Sequence, residues 1–345
     1  VSSQRQPRLP KVTRTQRFGG TFPTARWQTM GWAHDGSLLA LGGHDGLGGR
    51  LEIWNDRGHH QGHHVRHLTH EVAGPVTALA WSADGAYLAT AEESGRDGAR
   101  EIRIRSRAGA PRVVRLPQDF DVAQIAWSPD GTRFVASSPG EPALVVDAAR
   151  GTATSLLDGL SGPVAWEPEG RLIAAADQAS VVLGDPVTGL RTQTLPGTHA
   201  VTALGWAKHG RYLAAAHGEE IRVWDVPAGQ KLWDLPWPTA AGDRGPDGTV
   251  TTLEWLDGGH YLMEFRPRGG AWRDERASTI STSILWDVTT GKFLMIELFY
   301  ERVLGVIWPL AATVMTPAGN RLTHAIDSIA PTIWQLNLDL PHFLD

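Results

Sequence analysis

The chain has 345 residues, with 32 Lys and Arg against 37 Asp and Glu and a formal net charge of −5; its isoelectric point is near 6.3. That balance gives no reason to expect nucleic acid as a partner, and the absence of cysteine excludes disulfides, thiolate nucleophiles and cysteine-type zinc sites while fitting any redox compartment. No run approaches the ~18 uninterrupted apolar residues of a membrane span; the nearest, Val303 to Met315, is short and contains Pro309.

Residues 1–11, with Arg5, Arg8 and Lys11 and no acid, read as a basic tail or linker, either solvated or touching an anionic surface. They contain no apolar signal-peptide core, so a secretory signal is not expected within this sequence, although one could have been cleaved or omitted. VTRTQRF, Val12 to Phe18, alternates. It is expected to be the outermost strand of the last repeat, because too little chain follows Leu338 to supply one and an unpaired edge invites aggregation.

From there the same unit recurs. A Trp is followed four residues later by a turn Gly and then by a small apolar strand: Trp32 with Gly36, Trp81 with Gly85, Trp127 with Gly131, Trp166 with Gly170, Trp206 with Gly210 and Trp255 with Gly259. A seventh copy has Met315 and Gly319. The turn and the flanking alternation signal a hairpin of half-buried strands. A third strand follows each hairpin and ends in Trp-Asp or a remnant: Trp54, Trp224, Trp286 and Trp334 hold the Trp place, whereas Arg105, Val146 and Gly184 occupy it in the second, third and fourth units. Asp147 and Asp185 keep the Asp. Ten of the 15 Trp fall at these two positions, where packed sheets need bulky inward side chains.

A period of roughly 40–50 residues with a Trp-Asp strand end marks a propeller blade of four strands. The chain resembles the WD-repeat family from about Val12 to about Leu338. The expected fold is all-β, a seven-bladed β-propeller of four-stranded antiparallel blades with the ring closed by an N-terminal strand. Residues 12–340 would form that single domain and 341–345 a C-terminal tail. In the family a Gly-His dipeptide, a turn Asp and the Trp share a structural hydrogen-bond network; only the fifth unit keeps a related GxH, Gly197 and His199, with Trp224, and it lacks the Asp.

The loops vary more. Gly42 to Arg50 is Gly-rich but lies between strands, with no helix N-terminus to hold phosphate. Arg57 to His70 carries His59, His60, His63, His64, His67 and His70. A solvated loop is expected there rather than a metal site, because neighbouring strand residues point to opposite faces. Pro236 to Thr249 contains Trp237, and the sixth unit carries an insertion, Phe265 to Thr282, with Arg266, Arg268, Trp272, Arg273 and Arg276. In a WD-like ring the second-to-third-strand and blade-to-blade connections emerge on one face, so these two adjacent loops should meet there.

No G-x-S-x-G or phosphate-loop motif is present. The expected function is a non-catalytic scaffold or sensor module that binds a protein or peptide through Trp272, Trp237, Arg266, Arg268, Arg273 and Arg276. It needs neither cofactor nor metal, and is either free-standing or cut from a larger multidomain chain. The alternative is a propeller enzyme or metal-dependent binder in which His residues and carboxylates such as Asp45, Glu92, Glu93 and Asp97 converge near the central channel. A cytoplasmic setting is expected. Arg supplies 28 of the 32 basic residues, a bias that points to a GC-rich bacterial genome.

Overall fold

The computed structural model describes residues 11–17, 26–45, 48–55, 65–72, 74–93, 100–106, 109–117, 119–155, 160–197, 199–218, 220–236, 250–256, 259–267, 279–299, 310–315, 321–326 and 329–337. In 11–17, 26, 65–71, 154–155, 266–267, 279–282, 294–299, 310–315, 321–326 and 329–337 only the backbone is described.

Strand β1 (Lys11–Arg17) is followed by a first sheet of β2 (Arg26–Trp32), β3 (Leu38–His44), β4 (Gly49–Asn55) and β5 (Val65–Val72). The second is β6 (Val76–Trp81), β7 (Tyr87–Glu93), β8 (Arg100–Ser106) and β9 (Arg112–Arg115), and the third β10 (Gln124–Trp127), β11 (Arg133–Ser138), β12 (Glu141–Asp147) and β13 (Thr152–Ser155). Next come β14 (Val164–Trp166), β15 (Ile173–Asp177), β16 (Ser180–Gly184) and β17 (Arg191–Pro196), then β18 (Val201–Trp206), β19 (Tyr212–His217), β20 (Glu220–Asp225) and β21 (Gln230–Pro236). The sixth sheet is β22 (Thr252–Leu256), β23 (Tyr261–Pro267), β24 (Thr279–Asp287) and β25 (Phe293–Phe299). In the seventh, β26 (Leu310–Met315), β27 (Arg321–Ile326) and β28 (Ile329–Asn337) take β1 as their fourth strand, with Lys11 opposite Asn337 and Arg17 opposite Thr332.

In the first five sheets the first hairpin turns on its anchor motif. Gly36, Gly85, Gly131, Gly170 and Gly210 hold φ of 68°, 66°, 68°, 76° and 69°, a left-handed conformation that glycine adopts without Cβ strain. Second strands such as β11 and β19 are buried along nearly their whole length, whereas the fourth strands β17 and β21 are largely exposed. Burial therefore falls from the inner strands outward. The apolar clusters lie between sheets. One joins Ile102 and Val114 to Trp127 and Phe134, and another joins Val223 and Leu235 to Trp255 and Trp286.

The anchor Trp residues add a polar stitch to this packing. The indole N–H of Trp81 donates to the Gly31 carbonyl at 3.1 Å, Trp127 to Ala80 at 2.9 Å, Trp166 to Ala126 at 2.9 Å, Trp206 to Ala165 at 3.2 Å and Trp255 to Gly205 at 2.9 Å. Each acceptor is the residue just before the preceding unit's Trp, so one repeating bond ties each first strand to the next. The first strands touch in the same succession, from β2 to β6 and on to β26, and β26 in turn touches β2.

The third-strand equivalences hold in register. Trp54 lies opposite Leu39 and Trp224 opposite Leu213, just as Arg105, Val146 and Gly184 lie opposite Leu88, Phe134 and Ile173. The sixth unit differs from expectation: Phe265, Arg266 and Pro267 continue β23 and pair with Ser283, Thr282 and Ser281 of β24. The expected insertion is thus partly a longer hairpin, and Arg266 is a strand residue. These all-β, antiparallel, four-stranded sheets, with no helical element among the described residues, are consistent with a β-propeller.

Candidate functional site

The two ends of the sheets carry different chemistry. At the end holding the first-to-second and third-to-fourth turns, the acids cap those turns. Asp147 Oδ1 accepts the backbone N–H of Ala149 at 2.9 Å and of Arg150 at 2.8 Å, and Asp185 Oδ1 those of Val187 at 2.7 Å and Thr188 at 3.0 Å. Backbone hydrogen bonds from Arg150 and Thr188 hold these two carboxyls below the usual carboxylate range. The cap serves the turn and needs no indole, which is why Asp persists where the neighbouring Trp is lost. In the first-to-second turns, Asp84 and Asp130 accept the hydroxyls of Ser82 and Ser128, each at 2.6 Å. His209 replaces that acid in the fifth unit, its Nδ1 accepting the Arg211 N–H at 3.0 Å.

The opposite end, where second-to-third-strand and sheet-to-sheet connections emerge, holds partly buried charge. In the first sheet Glu52 is fully buried and accepts the Trp54 indole N–H at 3.1 Å and Arg50 Nε at 2.9 Å, while Arg50 also reaches Asp45 at 3.4 Å. In the second sheet, Glu92 takes the Thr90 hydroxyl at 2.6 Å and Arg105 at 2.7 Å on Oε1. Arg105, which stands in the Trp place, thereby neutralises a carboxylate that would be costly to bury alone.

Beside this network a cleft of about 260 Å³ opens between the second sheet and its connection to the third, lined among others by Glu92, Glu93, Arg100, Glu101, Phe120 and Asp121. Arg100 bridges it, pairing with Glu93 on its own sheet and with Asp121 at 2.5 Å on the connection to the third.

The expected site residues are not brought together by the described structure. Trp237, Arg268, Trp272, Arg273 and Arg276 lie outside the described residues, and Arg266 is placed only as a backbone position in β23. His59, His60, His63 and His64 likewise lie outside, while His67 and His70 are placed in the backbone of β5. Of the carboxylates weighed for catalysis, Asp45 pairs with Arg50, Glu92 with Arg105 and Glu93 with Arg100; Asp97 lies outside the description. Among the described residues no group of three or more His, Asp or Glu could hold a metal ion.

The Gly-rich stretch has a packing role. A Cβ on Gly42 would stand 2.6 Å from Val76 Cγ1, and one on Gly49 would stand 1.5 Å from the Gly74 carbonyl oxygen. In the fifth unit the ring facing Trp224 is that of His217, centroids 5.9 Å apart, and His199 contributes its backbone oxygen 2.9 Å from His217 Nδ1. Burial pushes the His217 imidazole pKa down. A GxH spacing reads the loop but cannot show that β19 supplies the histidine.

One further group was not legible in the sequence. Glu254 precedes Trp255, where the other units with an anchor Trp have Gly31, Ala80, Ala126, Ala165 and Gly205. A little of it remains accessible, yet burial pushes its carboxyl up to about 7 from 4.5, with Lys208 opposing. Stability from the protonated form is full below 4.5 and is lost as pH rises through about 7. Glu254→Gln is therefore expected to flatten the pH dependence of melting and to gain roughly 1–3 kcal/mol over the parent at about pH 8. Parallel melts at about pH 5 and pH 8 that shift equally in both proteins would contradict this.

The comparisons with known proteins follow the repeat. A family described as "WD domain, G-beta repeat" matches residues 189–225, the unit with the most complete signature, and one described as "Eukaryotic translation initiation factor eIF2A" matches residues 18–99. The Intraflagellar transport protein 80 homolog of Rattus norvegicus is 25% identical over 191 residues, covering 54% of this chain and 22% of that protein, and the Mus musculus homolog gives the same figures. Small ribosomal subunit protein RACK1 of Caenorhabditis elegans is 28% identical over 108 residues, 30% of this chain and 33% of the relative. The match thus spans a third or less of each relative's length. These relatives are animal proteins, and the expected bacterial origin is not supported by them. Joined to the seven four-stranded antiparallel sheets, the likenesses support a WD-repeat family for the chain.

Proposed function

We propose that the chain is a non-catalytic protein-interaction scaffold of the WD-repeat kind. Its seven sheets are the blades of one closed ring over residues 12–340, with β1 completing the last blade. The observation that carries this reading is the repeated indole-to-carbonyl bond between successive first strands. It builds a rigid frame from residues that perform no chemistry, and the similarity to WD-repeat relatives supports the same role. The turn acids support it too, since those described at the opposite end are engaged as caps. A cytoplasmic location belongs to the same proposal, by likeness to the small-ribosomal-subunit relative.

The partner is a protein or peptide held on the face where the longer connections emerge, with Trp272, Trp237, Arg266, Arg268, Arg273 and Arg276 as its contacts. A bare hairpin needs only a short turn, so the residues between β23 and β24 are not required by the sheet. Trp and Arg are the side chains most enriched where interface energy concentrates. With the partner captured from native extract, Trp272→Ala combined with Arg273→Ala is expected to weaken binding at least ~10-fold, about 1.4 kcal/mol, with the melting temperature unchanged. Unaltered affinity in titration calorimetry would move the site elsewhere.

A further inference from the structure

We propose that the seam between the sixth and seventh sheets is where the ring parts, and that ionisation of Glu254 opens it. This rests on the scaffold reading for the ring, and on the touching of β22 and β26 for the seam itself. Each of the five seams from the first sheet to the sixth carries the indole-to-carbonyl bond, the last from Trp255 to Gly205. The next seam differs. Met315 lies opposite Leu322 as Trp255 lies opposite Leu262 and Trp206 opposite Leu213, so it holds the anchor place, and a thioether has no N–H to give the Glu254 carbonyl. The residue before one anchor is the one that meets the following indole: a Cβ on Gly31 would stand 3.9 Å from Trp81 Cδ1. Where an indole follows, that residue is Gly or Ala; where Met315 follows, it is Glu254.

The second observation is the polarity of the face that the sixth sheet turns to the seventh. Leu253 and Trp255 pack with Leu262, Ile284 and Trp286 against the fifth sheet. Neighbouring strand residues point to opposite faces, so Glu254 points toward the seventh sheet, with its cross-strand partner Met263 and with Leu285. Ser283, opposite Phe265, shares this face; it is 1% exposed, and its hydroxyl has no hydrogen bond among the described residues. Few charges are placed to compensate. β26, LAATVM, has no titratable residue, and β27 behind it carries Arg321 and His324. In β23 Tyr261 shares the face of Glu254, whereas Glu264, opposite Leu253, lies on the other, and Arg266 is placed only as a backbone position. Toward the fifth sheet, Tyr212 contacts Trp255, His217 faces Trp224, and His209 accepts the Arg211 N–H. Lys208, in the turn after β18, is left to oppose the burial that pushes the Glu254 carboxyl up to about 7 from 4.5. A neutral acid fits the closed seam and a carboxylate needs water. The closed form is therefore favoured fully below 4.5 and loses that advantage as pH rises through about 7.

The chain has no cysteine, so a single introduced thiol reports the opening of one seam. Ser283→Cys places it in this seam. The reference is Ser137→Cys, also 1% exposed, two residues along β11 from Val135, which packs against the fourth sheet. Both substitutions conserve size, as does Glu254→Gln. Labelling of the full chain by a dithiodipyridine reagent is followed at about pH 5 and about pH 8, each rate divided by that of a free thiol at the same pH. A carboxyl near 7 in the closed seam and near 4.5 in the open one allows a rise of up to about 70-fold between those conditions. Relative labelling of Ser283→Cys is expected to rise at least ~10-fold, with Ser137→Cys changing less than ~3-fold and Glu254→Gln abolishing the rise. An equal rise at both thiols would mean that the whole chain loosens, and a rise that survives Glu254→Gln would assign it to another group such as His324. Either result, or no rise at Ser283→Cys, would overturn the proposal. The scaffold reading fails separately, on the Trp272 and Arg273 titration, and the closed ring on a cross-link between β1 and β28.

Discussion

Gly49→Ala is expected to destabilise the protein by about 3 kcal/mol or more, a fall in melting temperature of roughly 5–10 °C. The methyl group would stand 1.5 Å from the carbonyl oxygen of Gly74 and 2.4 Å from its carbonyl carbon. Both are backbone atoms that cannot rotate aside. Gly74 has no room to retreat, because its own Cβ position lies 2.2 Å from the Glu93 carbonyl oxygen. Three segments, the start of β4, the link from β5 to β6 and the end of β7, are thus stacked backbone on backbone. Overpacking of this kind has to displace one sheet from the next. Gly48→Ala is the internal control, since its methyl group would meet only the Val72 carbonyl oxygen at 3.4 Å and should change stability by less than ~1 kcal/mol. Equal melting temperatures for the two variants would mean that the first and second sheets are not packed this closely.

The strands and their equivalence between units were legible because alternation and the Trp-to-Gly turn are local signals, written within about a dozen residues. The same locality hid what lies between sheets. Period-2 alternation shows that Trp206 points inward, but not that its indole reaches the carbonyl of Ala165 in the preceding unit. The Gly-rich stretch has the composition of a loop, and two of its glycines, Gly42 and Gly49, are required by Val76 of β6 and by Gly74 just before it, neighbours that their own spacing does not reveal. Arg105 read as a decayed Trp position and is instead one half of a buried pair with Glu92. Charged residues at Arg103 and Arg105 inside an otherwise strand-like segment, EIRIRS, were the available signal for that network. The sixth-unit boundary was misplaced for a different reason: Arg266 and Pro267 carry no alternation of their own and are held in β23 by pairing with Thr282 and Ser281.

A closed ring requires a pairing between the two ends of the described chain. Thr13 of β1 lies opposite Gln335 of β28, and Gln335 faces Arg321 of β27 on its other side, so the seventh sheet is completed only by the N-terminal strand. Residues directly opposite in an antiparallel pair have Cα atoms about 4.5–5.5 Å apart, inside the span of a disulfide. Because the chain has no cysteine, Thr13→Cys with Gln335→Cys introduces the only thiols present. Oxidation is expected to give an intramolecular disulfide that migrates faster under non-reducing conditions. By closing a loop of more than 300 residues it should raise stability by up to about 5 kcal/mol. The off-register pair Thr13→Cys with Thr332→Cys should not form it. A cross-link in the Thr13 and Gln335 variant alone, within the monomer, is the result the closed ring predicts; no cross-link, or one formed only between two chains, would contradict it.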